Sequence, residues 1–340
     1  MSDKAGLNPE LSLLNRRISV APMMDYTDRH CRYFMRLLSP TALLYTEMIT
    51  AKALMHGDVS RLLDFDVAEQ PVALQLGGSE PDELAAAARM GEQWGYREIN
   101  LNCGCPSDRV KSGRFGACLM GEAQRVRDCV SAMRSQVSIP VTVKCRIGIE
   151  PGMNGHSDDE FLQQFIGTVS EAGCQVFIIH ARRAVLNGLS PRENREIPPL
   201  RYDVAQRMRV LFPQLAFVIN GGIRTVQEVA AQLPQFDGVM IGREAYHNPY
   251  LLAELHQYLE CPHEPLPERH AIVLAYARYV SSQCMRGERP ASMIKHVLGL
   301  YNGLPGARSW RRFLSENTHR IDATARLLEE SLRIVEPQAA

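Results

Sequence analysis

Polar side chains end five successive apolar segments of this sequence, and their types could serve ligand binding or catalysis. These residues are Gln75, Asn102, Lys144, His180 and Asn220. A lysine inside an apolar strand is costly unless it meets a negative partner. One such residue could belong to a structural pair, but five in succession favour a ligand that all of them share.

Glycines follow the last two apolar segments, in Asn220-Gly221-Gly222 and Gly242-Arg243. Glycine lets backbone N–H groups approach a phosphate closely, and arginine adds positive charge. The alternative is two tight turns that need glycine for a positive φ. Neither a GxxxxGK(S/T) loop nor a GxGxxG fingerprint follows the first apolar segment. A phosphate near these glycines and a lysine elsewhere in the pocket fit FMN, whose reduced ring is anionic.

A cysteine thiol is predicted beside this pocket, in the segment Asn102-Cys103-Gly104-Cys105-Pro106-Ser107. A CxC pair supplies only two metal ligands and no second close pair exists, so no metal site is predicted. A structural cysteine, the alternative for Cys105, normally occupies an apolar element. Because Cys105 instead lies in a Gly-Pro loop, the sequence favours its use in acid–base chemistry. Cys103 is assigned no role.

The elements that must position these residues alternate along the chain. Eight short β-branched runs are predicted as strands: 18–21, 42–46, 72–76, 98–102, 141–146, 176–180, 217–220 and 238–241. Amphipathic, helical patterns separate most of them, for example at 81–94, 122–135, 159–172 and 225–233. Continuous apolar strands are typical of parallel sheets that are buried on both faces. Eight such units predict an α/β fold, a closed (β/α)8 TIM barrel, with a doubly wound open sheet as the alternative.

The pattern changes near residue 262, after which it is helical throughout. The segment ECPHEPLPE contains three prolines and indicates a linker. We therefore predict a barrel over 1–261 and an all-helical domain over 262–340. Between residues 286 and 320, seven Lys and Arg stand against two acids. This excess predicts a phosphate-binding face, with an ordinary solvated helix surface as the alternative.

Composition excludes several classes of protein. Lys+Arg and Asp+Glu both total 38, so no net charge commits the chain to nucleic acid or membranes. No apolar run approaches the ~18 residues of a membrane span, and no signal peptide is recognisable. Nine cysteines, an odd number scattered along the chain, indicate reduced thiols. We expect a folded cytoplasmic protein without a membrane or an obligate protein partner, and expect it to be a monomer.

The combined motifs resemble the tRNA-dihydrouridine synthases over about residues 15–320. The matching segments are APMMDYTDR at 21–29, YTEM at 45–48, LQLGG at 74–78, NLNCGCPS at 100–107, VKCR at 143–146, HAR at 180–182, NGGI at 220–223 and GR at 242–243. The first of these, together with NREIPPL at 194–200, is similar to the bacterial A-type subfamily, which acts at D-loop positions 20 and 20a.

The resemblance implies an FMN-binding barrel with a helical tRNA-binding domain. The residues implied to bind FMN are Ala21, Pro22, Met23, Gln75, Lys144, His180, Asn220, Gly221, Gly222, Gly242 and Arg243. By position, Cys105 would be the general acid. The residues assigned to the tRNA substrate are Asn102, on the flipped uracil, and Arg182, Arg192, Arg195, Arg308 and Arg311. Each of these arginines could instead be an ordinary surface residue.

The implied reaction is reduction of the uridine C5–C6 double bond to 5,6-dihydrouridine. Hydride would pass from NADPH through FMN to C6, and Cys105 would protonate C5. The base must leave its stack, which requires that the protein bind the surrounding RNA. One alternative is a flavin barrel that reduces a small molecule, as in dihydroorotate dehydrogenase; the basic helical domain disfavours it. Another is a non-catalytic tRNA-binding protein, which the presence of Cys105, Lys144 and His180 disfavours.

Overall fold

Eight parallel strands close into a barrel at the centre of the molecule. The computed structural model describes residues 14–107, 113, 115–320 and 322–335. The strands are β1 (Ile18–Val20), β2 (Leu43–Tyr45), β3 (Ile49–Thr50), β4 (Val72–Gly77), β5 (Glu98–Cys103), β6 (Val141–Arg146), β7 (Ile149–Glu150), β8 (Val176–His180), β9 (Ala184–Val185), β10 (Ala216–Asn220) and β11 (Gly238–Ile241). All of them except β3, β7 and β9 form the barrel wall.

Closure of the sheet is visible in the strand order. The order β2-β1-β11-β10-β8-β6-β5-β4 runs once around the wall, and β2 also pairs with β4. An open sheet would leave two unpaired edges, so the doubly wound alternative is wrong and the TIM barrel is confirmed. The strands are buried along nearly their whole length, since the barrel interior lies on one side and the helices on the other.

Helices cover the outside of the barrel and continue beyond it. They are α1 (Arg29–Leu38), α2 (Ala51–His56), α3 (Val59–Leu63), α4 (Pro81–Trp94), α5 (Ala123–Arg134), α6 (Asp158–Ser170), α7 (Tyr202–Leu211), α8 (Val226–Gln232), α9 (Glu244–His247) and α10 (Leu251–Glu260). The C-terminal region adds α11 (Arg269–Met285), α12 (Pro290–Ile294), α13 (Ala307–Asn317) and α14 (Arg326–Val335). The start of α6 shows why the sequence predicted it: Ser157 and Glu160 cap each other's backbone N–H groups.

The C-terminal helices pack on α1, directly after the loop that leaves β1. The hydroxyl of Tyr279 lies 2.8 Å from Nδ1 of His30, and the hydroxyl of Tyr276 donates to the carbonyl of His30 at 3.2 Å. His296 reaches the Asp28 carboxylate, which caps α1, at 3.0 Å. The helical region is therefore joined to the part of the barrel that begins at Ala21. The predicted boundary at 261/262 stays a prediction.

Three short strands were not predicted. β7 pairs with β9 in a two-stranded sheet that joins the loops after β6 and β8. β3 adds two residues beside β4. Two-residue strands are too short to show a periodicity in sequence. No helix in the described part of the chain is long and apolar enough to cross a membrane.

Candidate active site at the barrel mouth

Strand register brings the predicted residues together. Asn102 on β5 stands opposite Lys144 on β6, and His180 on β8 stands opposite Asn220 on β10. The carboxyl ends of parallel barrel strands all open at one face. These four side chains, with Gln75 on β4, therefore share the mouth of the barrel, as the sequence predicted from the ends of its apolar segments.

Lys144 is a partly buried cation held by a neutral partner. Its Nζ donates to Oδ1 of Asn220 at 3.2 Å, and Asn220 is oriented by its own bond from Nδ2 to the carbonyl of Met240 at 2.7 Å. Burial and the nearby charge of Arg146 lower the pKa of Lys144 to about 8. No ion pair joins Lys144 to a carboxylate among the described residues. Such a cation suits an anionic ligand.

His180 is neutral at this mouth. Burial, followed by the positive charges of Arg146 and Lys144, holds its pKa well below the ordinary value. Gly221 packs against its ring: a Cβ at Gly221, whose φ is +116°, would lie 2.9 Å from Cδ2 of His180. Glycine is thus required at 221 both by the backbone and by the imidazole beside it.

Three arginines gather near the glycines that follow β10 and β11. Arg182, which donates to the carbonyl of Pro198, has its pKa lowered by burial and by the like charges of Arg243 and Arg224. One carboxylate partly neutralises the positive charge of this cluster, because Arg243 donates to Oε1 of Glu196 at 2.6 Å. The excess of positive charge fits a phosphate group. Arg224 and Glu196 were not among the predicted residues.

The loop that carries Cys105 is anchored from two sides. Oδ1 of Asn102 accepts from the backbone N–H groups of Gly104 and Cys105, both at 3.0 Å. Nε of Arg146 donates to the carbonyl of Gly104 at 2.9 Å. Cys105 is partly exposed, and its thiol donates to Oγ of Ser107 at 3.5 Å. An anchored, accessible thiol meets the geometric needs of a proton donor.

Cys103 differs from Cys105 in its surroundings. It is completely buried in the core, and burial raises the pKa of its thiol far above the usual value. Cys103 is therefore a packing residue. Within the described ranges, no group of three or more His, Cys, Asp or Glu side chains is arranged to hold a metal ion.

The loop after β1 forms a further part of the rim. Ala21 is buried and its N–H donates to the carbonyl of Ile241 at 2.8 Å, while Pro22 and Met23 are partly exposed. The N–H of Met23 donates to Oγ1 of Thr27 at 2.9 Å, which folds the loop back on itself. The two partly exposed side chains offer an apolar surface on which a flat ring can pack.

Comparison with known proteins decides which family this site belongs to. A model of the family described as Dihydrouridine synthase (Dus) matches residues 19–336. The chain belongs to the dihydrouridine synthase family. That match extends over both the barrel and the helical region.

This family member is similar to proteins named tRNA-dihydrouridine(20/20a) synthase. It is 54% identical over 323 residues to the one from Pseudomonas syringae pv. tomato, which covers 95% of each chain. It is 53% identical over 320 residues to the one from Escherichia coli K12, which covers 94% of this chain and 91% of the relative. It is 52% identical over 317 residues to the one from Vibrio cholerae, with coverage of 93% and 95%.

A solved structure of a 2-naphthoyl-CoA reductase complex is also similar. The TM-score is 0.54 at 12% identity, over 71% of this chain and 50% of that chain. A likeness at this level of identity shows the barrel fold alone.

The arginines predicted to meet RNA occupy two places in this dihydrouridine synthase family member. Arg192 and Arg195 lie at the barrel rim; Arg192 is exposed, 3.7 Å from Glu196, and Arg195 lies near the charge of Arg243. Arg308 and Arg311 are exposed on α13. No ion pair holds either of them within the described part of the chain.

Ion pairs with acidic residues neutralise part of the positive charge on the helical region. Arg312 pairs with Glu316 at 2.9 Å, Arg320 with Asp322 at 3.2 Å, and Lys295 with Asp28 at 3.4 Å. The other four cations between 286 and 320 are Arg286, Arg289, Arg308 and Arg311, all exposed. They form no ion pair with another described residue, which leaves their charge available to a phosphate backbone.

Sequence reasoning missed buried polar residues at the mouth and below it. They are Arg16, Glu98, Asn100, Thr142 and Arg146. The sequence carries a pattern that could have revealed them, because polar residues recur at every second position of two strands. Glu98, Asn100 and Asn102 share one face of β5. Thr142, Lys144 and Arg146 share one face of β6. Treating each strand as a continuous apolar run hid this alternation.

Proposed function

We propose that this chain reduces a uridine of the tRNA D-loop, at positions 20 and 20a, to 5,6-dihydrouridine in the cytoplasm. FMN would be its resident cofactor, NADPH its reductant, and the protein would act as a monomer. The single observation that carries the proposal is the family match across residues 19–336, which includes the mouth that holds Lys144 and the Cys105 loop. The positions 20 and 20a are those in the names of its relatives from three bacteria.

The residues at the mouth fit FMN. Lys144 would hold the anionic edge of the flavin ring, Gln75 would hydrogen-bond the ring, and His180 would lie beside the ring and the target uridine. Ala21, Pro22 and Met23 would pack on the ring. The backbone at Asn220, Gly221, Gly222 and Gly242, together with the guanidinium of Arg243, would bind the phosphate. When bound, FMN supplies the hydride that C6 of the uracil receives.

Cys105 would supply the proton for C5. Its loop is held by Asn102 and Arg146, so the thiol keeps one position relative to the mouth. Asn102 would also meet the uracil. Negative charge develops on the uracil oxygen as C6 is reduced, and Lys144 or Arg182 would stabilise it.

The helical region would hold the tRNA while the target base enters the barrel. Flipping a base from its stack costs a few kcal/mol, which contacts to the surrounding RNA must offset. Arg308 and Arg311 would contact phosphates from residues 262–340, and Arg192 and Arg195 would contact RNA at the rim. Their exposure supports this assignment.

The decisive experiment follows the flavin spectrum of the purified protein. NADPH should bleach the flavin bands, and anaerobic addition of tRNA that lacks dihydrouridine should restore them. Free uridine at the same concentration should not. Mass spectrometry of the digested tRNA should then locate dihydrouridine at 20 and 20a. Recovery with a small enone or pyrimidine, and not with tRNA, would instead support a small-molecule reductase.

A further inference from the structure

A buried carboxylate lies at the beginning of β5, at the far end of the barrel from its mouth. Glu98 is 0% exposed. Its Oε2 accepts from Nη2 of Arg16 at 2.7 Å, and its Oε1 accepts from the hydroxyls of Tyr45 and Thr142, both at 2.7 Å. Because a carboxylate only accepts, the Thr142 hydroxyl donates its one proton there. The oxygen of Thr142 then accepts from Nδ2 of Asn100 at 2.9 Å.

The same line of hydrogen bonds continues towards the mouth of the barrel and reaches the Cys105 loop. Oδ1 of Asn100 accepts from Nε2 of Gln75 at 2.8 Å, and Oε1 of Gln75 accepts from Nδ2 of Asn102 at 2.8 Å. Oδ1 of Asn102 accepts from the N–H groups of Gly104 and Cys105. All four relay side chains, Thr142, Asn100, Gln75 and Asn102, are buried. In a dry interior such a line is strong when complete and costly when broken.

The two ends of this line fix the orientation of every amide between them. Glu98 can only accept, and the backbone N–H groups of Gly104 and Cys105 can only donate. If the amide of Gln75 turned over, donor would face donor at one contact and acceptor would face acceptor at the other. The oxygen of Asn102 already has two donors, so Asn102 can offer a ligand only its remaining Nδ2 hydrogen.

We propose that Glu98, Thr142 and Asn100 are positioning residues whose hydrogen-bond relay holds the Cys105 loop and locks Asn102 as a donor towards the mouth. The identity of the pyrimidine that meets Asn102 rests on the proposed function. The anchoring of the loop does not, because it follows from contacts within this chain.

The test removes one hydroxyl from the relay. Thr142→Val keeps the shape of the side chain but cannot link Asn100 to Glu98, whereas Thr142→Ser can. Tyr45→Phe is the matched control, because it removes a hydroxyl from the same Glu98 oxygen without breaking the relay.

Amide hydrogen exchange of a peptide that contains Gly104 and Cys105 is the first measurement. We expect exchange in Thr142→Val to be roughly tenfold faster than in the wild type, the effect of losing one buried hydrogen bond. Thr142→Ser and Tyr45→Phe should exchange like the wild type. Unchanged exchange in Thr142→Val, or equal acceleration in Tyr45→Phe, would overturn the proposal. If Thr142→Val fails to fold, Thr142→Cys provides a weaker hydrogen bond in the same place and should give intermediate exchange.

The second measurement separates the two half-reactions. In Thr142→Val, reoxidation of the flavin by tRNA should slow about tenfold in its maximal rate, with the KM for tRNA and the rate of reduction by NADPH unchanged. Equal slowing of both half-reactions would contradict a role in the Cys105 loop. A wild-type protein that makes no dihydrouridine would defeat the proposed function, and the exchange data would still decide whether the relay reaches the loop.

Discussion

Lys144 donates to Asn220 across 3.2 Å, and this bond joins β6 to β10 over the strand between them. The amide oxygen holds the ammonium in place without neutralising it. A carboxylate in the position of Asn220 would pair with Lys144 and leave less charge for a ligand. The cation is therefore fixed and still electrostatically available, as an anionic cofactor requires.

The affinity for FMN should depend on pH through Lys144. The pKa of this ammonium in the free protein is about 8, and an anionic ligand raises it, so binding takes up a proton above that pH. The affinity should then fall as pH rises above about 8, by up to about tenfold per unit. Fluorescence titration from neutral to alkaline pH measures it. Lys144→Met should bind more weakly with no such dependence, whereas Lys52→Met, which changes an exposed lysine, should behave like the wild type.

Replacing Cys105 by alanine should separate its role from that of Cys103. Loss of a general acid slows the step it serves by about 10²–10⁴-fold. We expect this loss in the reoxidation of flavin by tRNA, with reduction by NADPH unaffected. Cys103→Ala removes a buried packing group and should cost about 1 kcal/mol of stability while retaining activity. Stopped-flow absorbance and denaturant unfolding measure the two effects. Normal reoxidation in Cys105→Ala would remove the general-acid assignment.

The sequence predicted the barrel well because the signal for buried parallel strands is local. Each apolar run between Ile18 and Ile241 carries its own evidence, and all eight became strands of the wall. The strand ends likewise predicted that Lys144 and His180 lie at the same face of the barrel, since the carboxyl ends of barrel strands meet there.

What remained hidden depends on partners that are distant in sequence. His296 and Asp28 are 268 positions apart, and neither residue type indicates the other. Thr142 looks like an ordinary β-branched strand residue until Glu98 and Asn100 are placed around it. Glu196 lies in the NREIPPL segment, which by itself does not indicate that its carboxylate pairs with Arg243.

Asn102→Asp should reverse the polarity of the mouth and break the relay at the link between residue 102 and Gln75. The aspartate oxygen can still accept from the N–H groups of Gly104 and Cys105. It cannot donate to Gln75 or to a uracil oxygen. The aspartate oxygen would therefore face the acceptor Oε1 of Gln75 in place of the present hydrogen bond. We expect at least about a tenfold fall in tRNA-dependent reoxidation, and exchange of the 104–105 amides at least as fast as in Thr142→Val, because the relay is broken closer to the loop. Exchange as slow as in the wild type would show that residue 102 alone anchors the loop and would count against the relay.

Asp28 should stabilise the protein in a pH-dependent way. Despite burial, hydrogen bonds from His296 and the N–H of Cys31 hold its pKa well below the ordinary 3.8. A carboxyl whose pKa is lowered by folding contributes stability above its unfolded pKa and loses it as pH falls below that value. Asp28→Asn should therefore cost about 1.5–3 kcal/mol at neutral pH. The difference from the wild type should shrink below about pH 4. Urea unfolding at both pH values measures it, and a constant difference would contradict the assignment.

Arg308 and Arg311 should contribute to tRNA affinity, and Arg312 serves as the matched control on the same helix. Arg312 is paired with Glu316, whereas the other two are exposed and form no ion pair with a described residue. Changing Arg308 and Arg311 together to alanine should raise the KM for tRNA about tenfold and make the dependence of binding on salt less steep, since two phosphate contacts are lost. Reduction by NADPH should be unchanged.

Arg312→Ala should raise the KM for tRNA less than either single alanine variant, because the charge of Arg312 is already paired with Glu316. An equal effect of all three would indicate a diffuse electrostatic attraction in place of specific phosphate contacts.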